Sequence, residues 1–248
     1  MSGNVDDFPC KITAREMVGE DILSVRVRCP SIAESIYPGQ FVLLRDPSWG
    51  MDPLLMRPFA VSAVYGEDLE LLIKLVGRGT SLLAERSVGD DLVVRGPMGR
   101  GFSSPESSPI YVAGALGAAP LLFARQVFGV GRFVLGVPGE GWGPFVDYLE
   151  ARCPEMEVFS DDGSIGARGT ALDGLEKGES HPVYACGPMG MMAAIVKLEP
   201  LSCQVSLESR MACGIGACCG CVIETIQGKR RVCADGPVFS LEEVVWNA

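Results

Sequence analysis

Tyr111-Val112-Ala113-Gly114-Ala115-Leu116-Gly117-Ala118-Ala119-Pro120 is the stretch on which the architecture turns. A short apolar run meets a turn of small residues, and a helical stretch continues from there to Phe128. That is the opening of a strand–turn–helix unit, and the rhythm of the chain differs on its two sides. Upstream, Leu23, Val25, Val27 and Cys29 alternate with Ser24, Arg26 and Arg28, the period-two pattern of a half-buried strand. Further strands are expected over residues 11–18, 41–45, 58–64, 69–76 and 91–95, with turns at Pro38-Gly39 and Val88-Gly89-Asp90. Six short strands predict a small antiparallel barrel over residues 1–104. Downstream, strands at 110–113, 132–137, 156–160 and 183–185 alternate with helices to 128 and at 143–151 and 189–198. Such alternation predicts a parallel sheet with helices on its faces, a nucleotide-binding α/β domain over residues 105–200. From residue 201 to 248 the chain turns cysteine- and glycine-rich, as expected of a small metal-cluster module.

That last stretch reads Ser209-Arg210-Met211-Ala212-Cys213-Gly214-Ile215-Gly216-Ala217-Cys218-Cys219-Gly220-Cys221, with Cys233 further on. Taking Cys213, Cys218, Cys221 and Cys233, the spacing is C-x₄-C-x₂-C followed by a distant fourth cysteine, the arrangement of a plant-type [2Fe–2S] site. Two irons sharing two sulfides need four thiolates, most of them from one wrapping loop. Gly214, Gly216, Ala217 and Gly220 are small enough for backbone N–H groups to reach the sulfurs. A structural zinc site also takes four cysteines, but usually as two separated pairs, whereas three of these are crowded and one is remote. Cys219 cannot easily face the same iron as its neighbour, and Cys218 is the one that satisfies both spacings. Cys10, Cys29, Cys153 and Cys203 lie in apolar contexts and read as core.

The totals narrow the function classes. Apolar residues make up 48% of the 248, enough for a substantial core, and the net charge is −10. An acidic surface repels phosphate backbones, which argues against nucleic acid as a partner. Residues 1–10 carry neither a basic nor an apolar export segment, so the ten cysteines are expected in a reducing, cytoplasmic compartment. The longest apolar stretch, residues 109–124, is too short and too broken by glycine and proline to span a bilayer. The single histidine, His181, argues against a Ser/His/Asp triad and against Rieske ligation.

Nucleotide signals lie in both halves. Gly114 and Gly117 would let the backbone approach a pyrophosphate at a helix start, although small residues there also serve sheet packing. Ala185-Cys186-Gly187-Pro188 ends another strand and opens a helix; Cys186 can equally be a buried core thiol. In the barrel half, Arg57-Pro58-Phe59-Ala60 opens a strand, and Lys74 precedes Gly77-Arg78-Gly79-Thr80-Ser81, with Thr80 expected as the N-cap of a short helix. Taken singly, each basic residue fits a solvated surface charge as well.

In this order the motifs resemble the ferredoxin–NADP reductase family. The cysteine tail with Arg231-Val232-Cys233-Ala234-Asp235-Gly236-Pro237-Val238-Phe239, and Asp161-Asp162-Gly163-Ser164 earlier, closely resemble the electron-transfer subunits of two-subunit, NAD-dependent dihydroorotate dehydrogenases. The resemblance implies FAD against the barrel, contacted by Arg57, Pro58, Phe59, Ala60, Leu72, Ile73, Lys74, Gly79 and Thr80. It implies NAD near Gly114, Gly117, Cys186 and Gly187, and a [2Fe–2S] cluster between FAD and a partner chain. That partner would be an FMN-containing catalytic subunit, two of each forming a heterotetramer of pyrimidine biosynthesis. Ala60 stands where the family usually has serine, leaving backbone, Ser62 or nothing to bond the flavin, and Ala115 replaces a common glycine.

Redox logic points the same way. A nicotinamide exchanges two electrons at once and such a cluster one, so a flavin is needed between them. No base for oxidising an organic substrate is evident, so no catalytic residue is assigned. Related reductase subunits of hydrogenases, sulfide-linked reductases or transhydrogenases share the pattern, and a zinc-stabilised nucleotide-binding regulator is the alternative from another class. Glu140, after the strand at 132–137, favours NAD over NADP because a carboxylate bonds a ribose hydroxyl and repels a 2′-phosphate.

Overall fold

A computed structural model describes residues 6–246. Six antiparallel strands close into a barrel in the order β1-β2-β5-β4-β3-β6. They are β1 (Asp6–Met17), β2 (Ile22–Arg28), β3 (Phe41–Arg45), β4 (Arg57–Tyr65), β5 (Asp68–Lys74) and β6 (Asp91–Met98). Closure leaves no free edge. The alternating residues do what their period requires: Leu23, Val25 and Val27 of β2 face Leu69, Leu71 and Ile73 of β5 inside the barrel, all at most 3% exposed. Cys10 and Cys29 belong to this core too. Short helices α1 (Pro30–Ala33) and α2 (Arg78–Ala84) decorate the barrel.

The second unit is a seven-stranded sheet built on β7 (Ile110–Gly114), β8 (Arg132–Val137), β9 (Glu157–Ser160), β10 (Ala167–Arg168), β11 (Val183–Cys186), β12 (Cys203–Ser206) and, near the chain's end, β15 (Val238–Ser240). Six of its strands run parallel, in the order β10-β9-β8-β7-β11-β12, and β15 closes the edge antiparallel to β12. Its helices are α3 (Ala118–Phe128), α4 (Gly143–Glu150) and α5 (Met189–Ile195). β7 is buried along its length, as a central parallel strand must be. Two strands of the sheet, β12 and β15, come from residues beyond 200, where the sequence reading places the start of the cluster module. Val205 of β12 is wholly buried and extends the apolar run of β11, which explains why this segment joins the sheet. Between them the chain leaves the sheet for the cysteine loop and a hairpin, β13 (Val222–Thr225) and β14 (Gly228–Arg231).

Barrel and sheet are joined by a buried polar knot. Glu70 on β5 is 1% exposed. Its Oε1 accepts hydrogen bonds from Tyr148 Oη of α4 at 3.0 Å and from Arg152 Nη2 just beyond α4 at 2.8 Å. Ser62 Oγ lies 3.1 Å from Oε2. Along β5, Glu70, Leu72 and Lys74 point toward the second unit, while Leu71 and Ile73 point into the barrel, as strand pleating dictates. Among the described residues no helix is long and apolar enough to cross a membrane.

Candidate flavin cleft and iron–sulfur loop

The face of β4 and β5 that looks away from the barrel core forms one wall of a cleft of about 320 Å³. Arg57, Pro58, Phe59, Ala60, Leu72, Lys74 and Thr80 line it. The opposite wall comes from the sheet and the start of the cysteine loop: Leu116, Pro120, Cys186, Ser206, Glu208 and Met211. An apolar slot with a few placed polar groups is the common form of a cofactor site. Two predicted residues behave differently. Ile73 is fully buried in the barrel core, so only its backbone can meet a ligand. Gly79 lies beneath Arg57: a methyl group there would come within 2.6 Å of Arg57 Nε.

Cations converge on this cleft. Lys74 Nζ lies 3.6 Å from Asp21 and 4.6 Å from the centre of the Trp142 ring. Arg57 donates to the Leu55 carbonyl. Thr80 is not the N-cap of α2; Gly77 holds that place and Thr80 sits three residues on. Its Oγ1 accepts from the N–H groups of Val76 (3.0 Å) and Gly77 (3.2 Å) and reaches Gly77 O at 2.9 Å, so it ties the turn from inside. Ser62 is no substitute for the hydroxyl missing at Ala60. It is fully buried and directed at Glu70, away from a ring in the cleft.

Gly114, Gly117 and Gly187 meet at the carboxyl ends of β7 and β11. A Cβ on Gly117 would lie 2.1 Å from Cys186 O, and one on Gly114 would lie 2.6 Å from Pro188 Cδ. These glycines let two turns cross at backbone contact. Ala115 takes φ 49°, the left-handed region in which glycine would be unstrained. The thiol of Cys186 is pushed far up by burial, with the nearby Glu208 charge adding to it, so it is a neutral wall residue. Beyond β8, Gly139 backs onto Asp162, whose Oδ1 accepts from Ser164, and Glu140 is exposed beside them. Two carboxylates there suit a ribose rather than a phosphate; the stem of Arg168 packs beside Gly163 on the same rim.

The cysteine loop lies against the barrel: a Cβ on Gly214 would come within 2.7 Å of Met98 Cε and 2.8 Å of Leu43 Cδ1. Its sulfurs fall into two neighbouring pairs. Cys218 N–H donates to Cys213 Sγ at 3.4 Å, and Cys233 N–H donates to Cys221 Sγ at 3.4 Å. Gly216 N–H joins the second pair, 3.2 Å from Cys233 Sγ. Burial pushes the Cys213 thiol up, but the N–H groups of Cys218, Ile215 and Ala217 and the Cys218 thiol outweigh it and bring it down to about 6. Cys233 is pushed up to about 12 by burial and by the adjoining Cys221 thiol. Among the described residues no three Cys, His, Asp or Glu side chains converge as one metal ion would require. Two thiol pairs with N–H groups aimed at sulfur fit a cluster with two metal positions better than a single tetrahedral zinc. Cys219 is exposed, with φ 55°.

Comparison with known proteins agrees with this division. Residues 9–102 match the oxidoreductase FAD-binding domain, and residues 208–245 match the iron–sulfur cluster binding domain of dihydroorotate dehydrogenase B. The electron transfer subunit of dihydroorotate dehydrogenase B (NAD(+)) from Clostridium acetobutylicum is 34% identical over 217 residues, covering 86% of this chain and 87% of that one. Its counterpart in Desulforamulus reducens is 34% identical over 96% of this chain and 98% of that one. The chain belongs to this family of electron-transfer subunits. Among solved structures, the NADH-dependent reduced ferredoxin–NADP oxidoreductase studied for flavin-based electron bifurcation superposes with a TM-score of 0.83 at 25% identity, covering 99% of this chain and 92% of that one.

For a dihydroorotate dehydrogenase B electron-transfer subunit, the residue that sequence reasoning missed is Glu208. It follows β12 and lines the cleft, where the surrounding walls push its carboxyl above the ordinary range. An acid between a buried strand and a cysteine loop was its only signal.

Proposed function

We propose that this chain accepts electrons from a catalytic partner subunit that oxidises dihydroorotate, and delivers them to NAD. One observation carries the reading: the barrel, the sheet and the start of the cysteine loop all contribute walls to a single cleft, Arg57–Ala60 on one side and Cys186, Glu208, Ser209 and Met211 on the other. A flavin held there supplies the exchange between two-electron nicotinamide chemistry and one-electron cluster chemistry. The chain's own residues do the rest. Arg57 and Lys74 set positive charge beside a diphosphate, while Phe59, Leu72 and Leu116 exclude water from the ring face. Gly216, Cys218 and Cys233 direct N–H groups at the cysteine sulfurs, which stabilises the more negative, reduced form of a cluster held by Cys213, Cys218, Cys221 and Cys233. Glu140 and Asp162 favour NAD. The partner carries FMN, and the assembly contains two copies of each chain in the cytoplasm.

The superposition on the NADH-dependent ferredoxin–NADP oxidoreductase supports a second reading, a reductase subunit serving a different redox complex. The purified chain should contain about two irons and two acid-labile sulfides with one FAD, and absorb visible light. A colourless, zinc-containing chain would refute both readings; a coloured chain that never couples to a dihydroorotate-oxidising partner would leave the second.

A further inference from the structure

We propose that Arg231 and Asp235 form a clamp that sets the reduction potential of the cluster by orienting Gly216. This rests on the reading that the four cysteines hold a [2Fe–2S] cluster. Arg231 ends β14, and its guanidinium makes three contacts at once. Nε and Nη2 reach the two oxygens of Asp235 at 3.0 and 3.2 Å, and Nη1 donates to Gly216 O at 3.0 Å. The N–H of the same Gly216 donates to Cys233 Sγ at 3.2 Å. Gly216 is thus held from both sides, its carbonyl by the clamp and its N–H by a cluster sulfur. Its φ of 81° belongs to the left-handed region, and a side chain there would meet Arg231 Nη1 at 3.0 Å and Ala234 at 2.9 Å. The clamp is braced in turn: Arg231 N–H donates to Asp235 Oδ2 at 2.8 Å, and Arg231 O accepts from Ala234, Asp235 and Gly236 in the turn that carries Cys233.

Hydrogen bonds to cluster sulfurs raise the potential because they favour the extra negative charge of the reduced state. Only a planar fork can hold a carboxylate bidentately and a carbonyl together, so lysine cannot replace Arg231. Positioning and simple charge then make different predictions. Arg231→Gln, Arg231→Lys and Asp235→Asn should each lose the Gly216 orientation. Each should shift the reduction equilibrium by about tenfold toward the oxidised cluster, a fall of about 59 mV for a one-electron couple. If charge alone mattered, Arg231→Lys would leave the potential unchanged, and Asp235→Asn, which removes a negative charge, would raise it.

The experiment is an anaerobic potentiometric titration of the purified holo-chain and the three variants, read by electron paramagnetic resonance of the reduced cluster, with iron content measured on the same samples. A fall in potential for Arg231→Lys and Asp235→Asn at parental iron content supports the clamp. An unchanged Arg231→Lys, a rise in Asp235→Asn, or loss of iron from all three variants would overturn it, the last because the pair would then build the loop rather than tune it. Absence of iron from the unaltered chain would instead refute the cluster reading itself.

Discussion

Replacing Glu70 by Gln tests the joint between barrel and sheet. The substitution keeps the shape and removes the charge from a side chain that is 1% exposed. Arg152, whose side chain is 23% exposed, then faces an uncharged amide at the 2.8 Å contact, and the amide nitrogen must be accommodated opposite either Ser62 or the Tyr148 and Arg152 donors. Breaking a buried pair on one side costs about 3–5 kcal/mol, and the partial exposure of Arg152 places the loss at the low end, about 3 kcal/mol. For a chain of this size that is a fall in Tm of roughly 6–12 °C. Because the contacts bridge β5 and α4, the loss should also separate the melting of the two units, visible as a second step in calorimetry. Glu70→Leu combined with Arg152→Met should recover part of the stability, since the only charge it leaves without its Glu70 partner is Arg26, 3.4 Å from Glu70 and 36% exposed. A single transition within 2 °C of the parent for Glu70→Gln would refute the claim that this carboxylate locks the two units together.

Three further outcomes follow from the site. Cys219→Ser should keep its iron, because it is Cys218 that pairs with Cys213; iron lost there and retained in Cys218→Ser would reverse the ligand assignment. NADH should reduce the bound flavin with a higher kcat/KM than NADPH, and Glu140→Arg should narrow the difference; equal values in the parent would remove the role given to the acidic rim. Gly117→Ala would set a methyl 2.1 Å from Cys186 O, so it should lower the Tm by several degrees through a backbone clash, and a neutral result would mean the two turns can part freely.

Alternation in β2 and the apolar run of β7 were readable because a strand's period shows locally which side is buried. The pairing of Cys213 with Cys218 was readable because spacing along one loop is itself the geometry. Glu70 was not, since its donors Tyr148 and Arg152 lie 78 and 82 residues away and nothing near Glu70 marks it as buried. The glycines at 114, 117 and 187 were visible, but phosphate approach and backbone crossing ask for the same residue, and the crossing itself shows only in the packing. Thr80 was assigned as a cap because threonine before an apolar stretch has that signature; Gly77 starts the helix instead, leaving Thr80 free to tie the turn from within. Ile73 can meet a ligand through its backbone alone, because the pleat turns its side chain inward.

The most direct test of the account is NAD reduction by dihydroorotate, measured with the FAD-loaded chain alone, with an FMN-bearing catalytic partner added, and with Cys213→Ser in the same complex. The chain alone should reduce artificial dyes with NADH and show no dihydroorotate oxidation. The partner should create NAD-dependent oxidation, and Cys213→Ser should abolish that coupling while keeping dye reduction. Turnover of dihydroorotate by the single chain, or full coupling by a folded complex lacking the cluster, would contradict it.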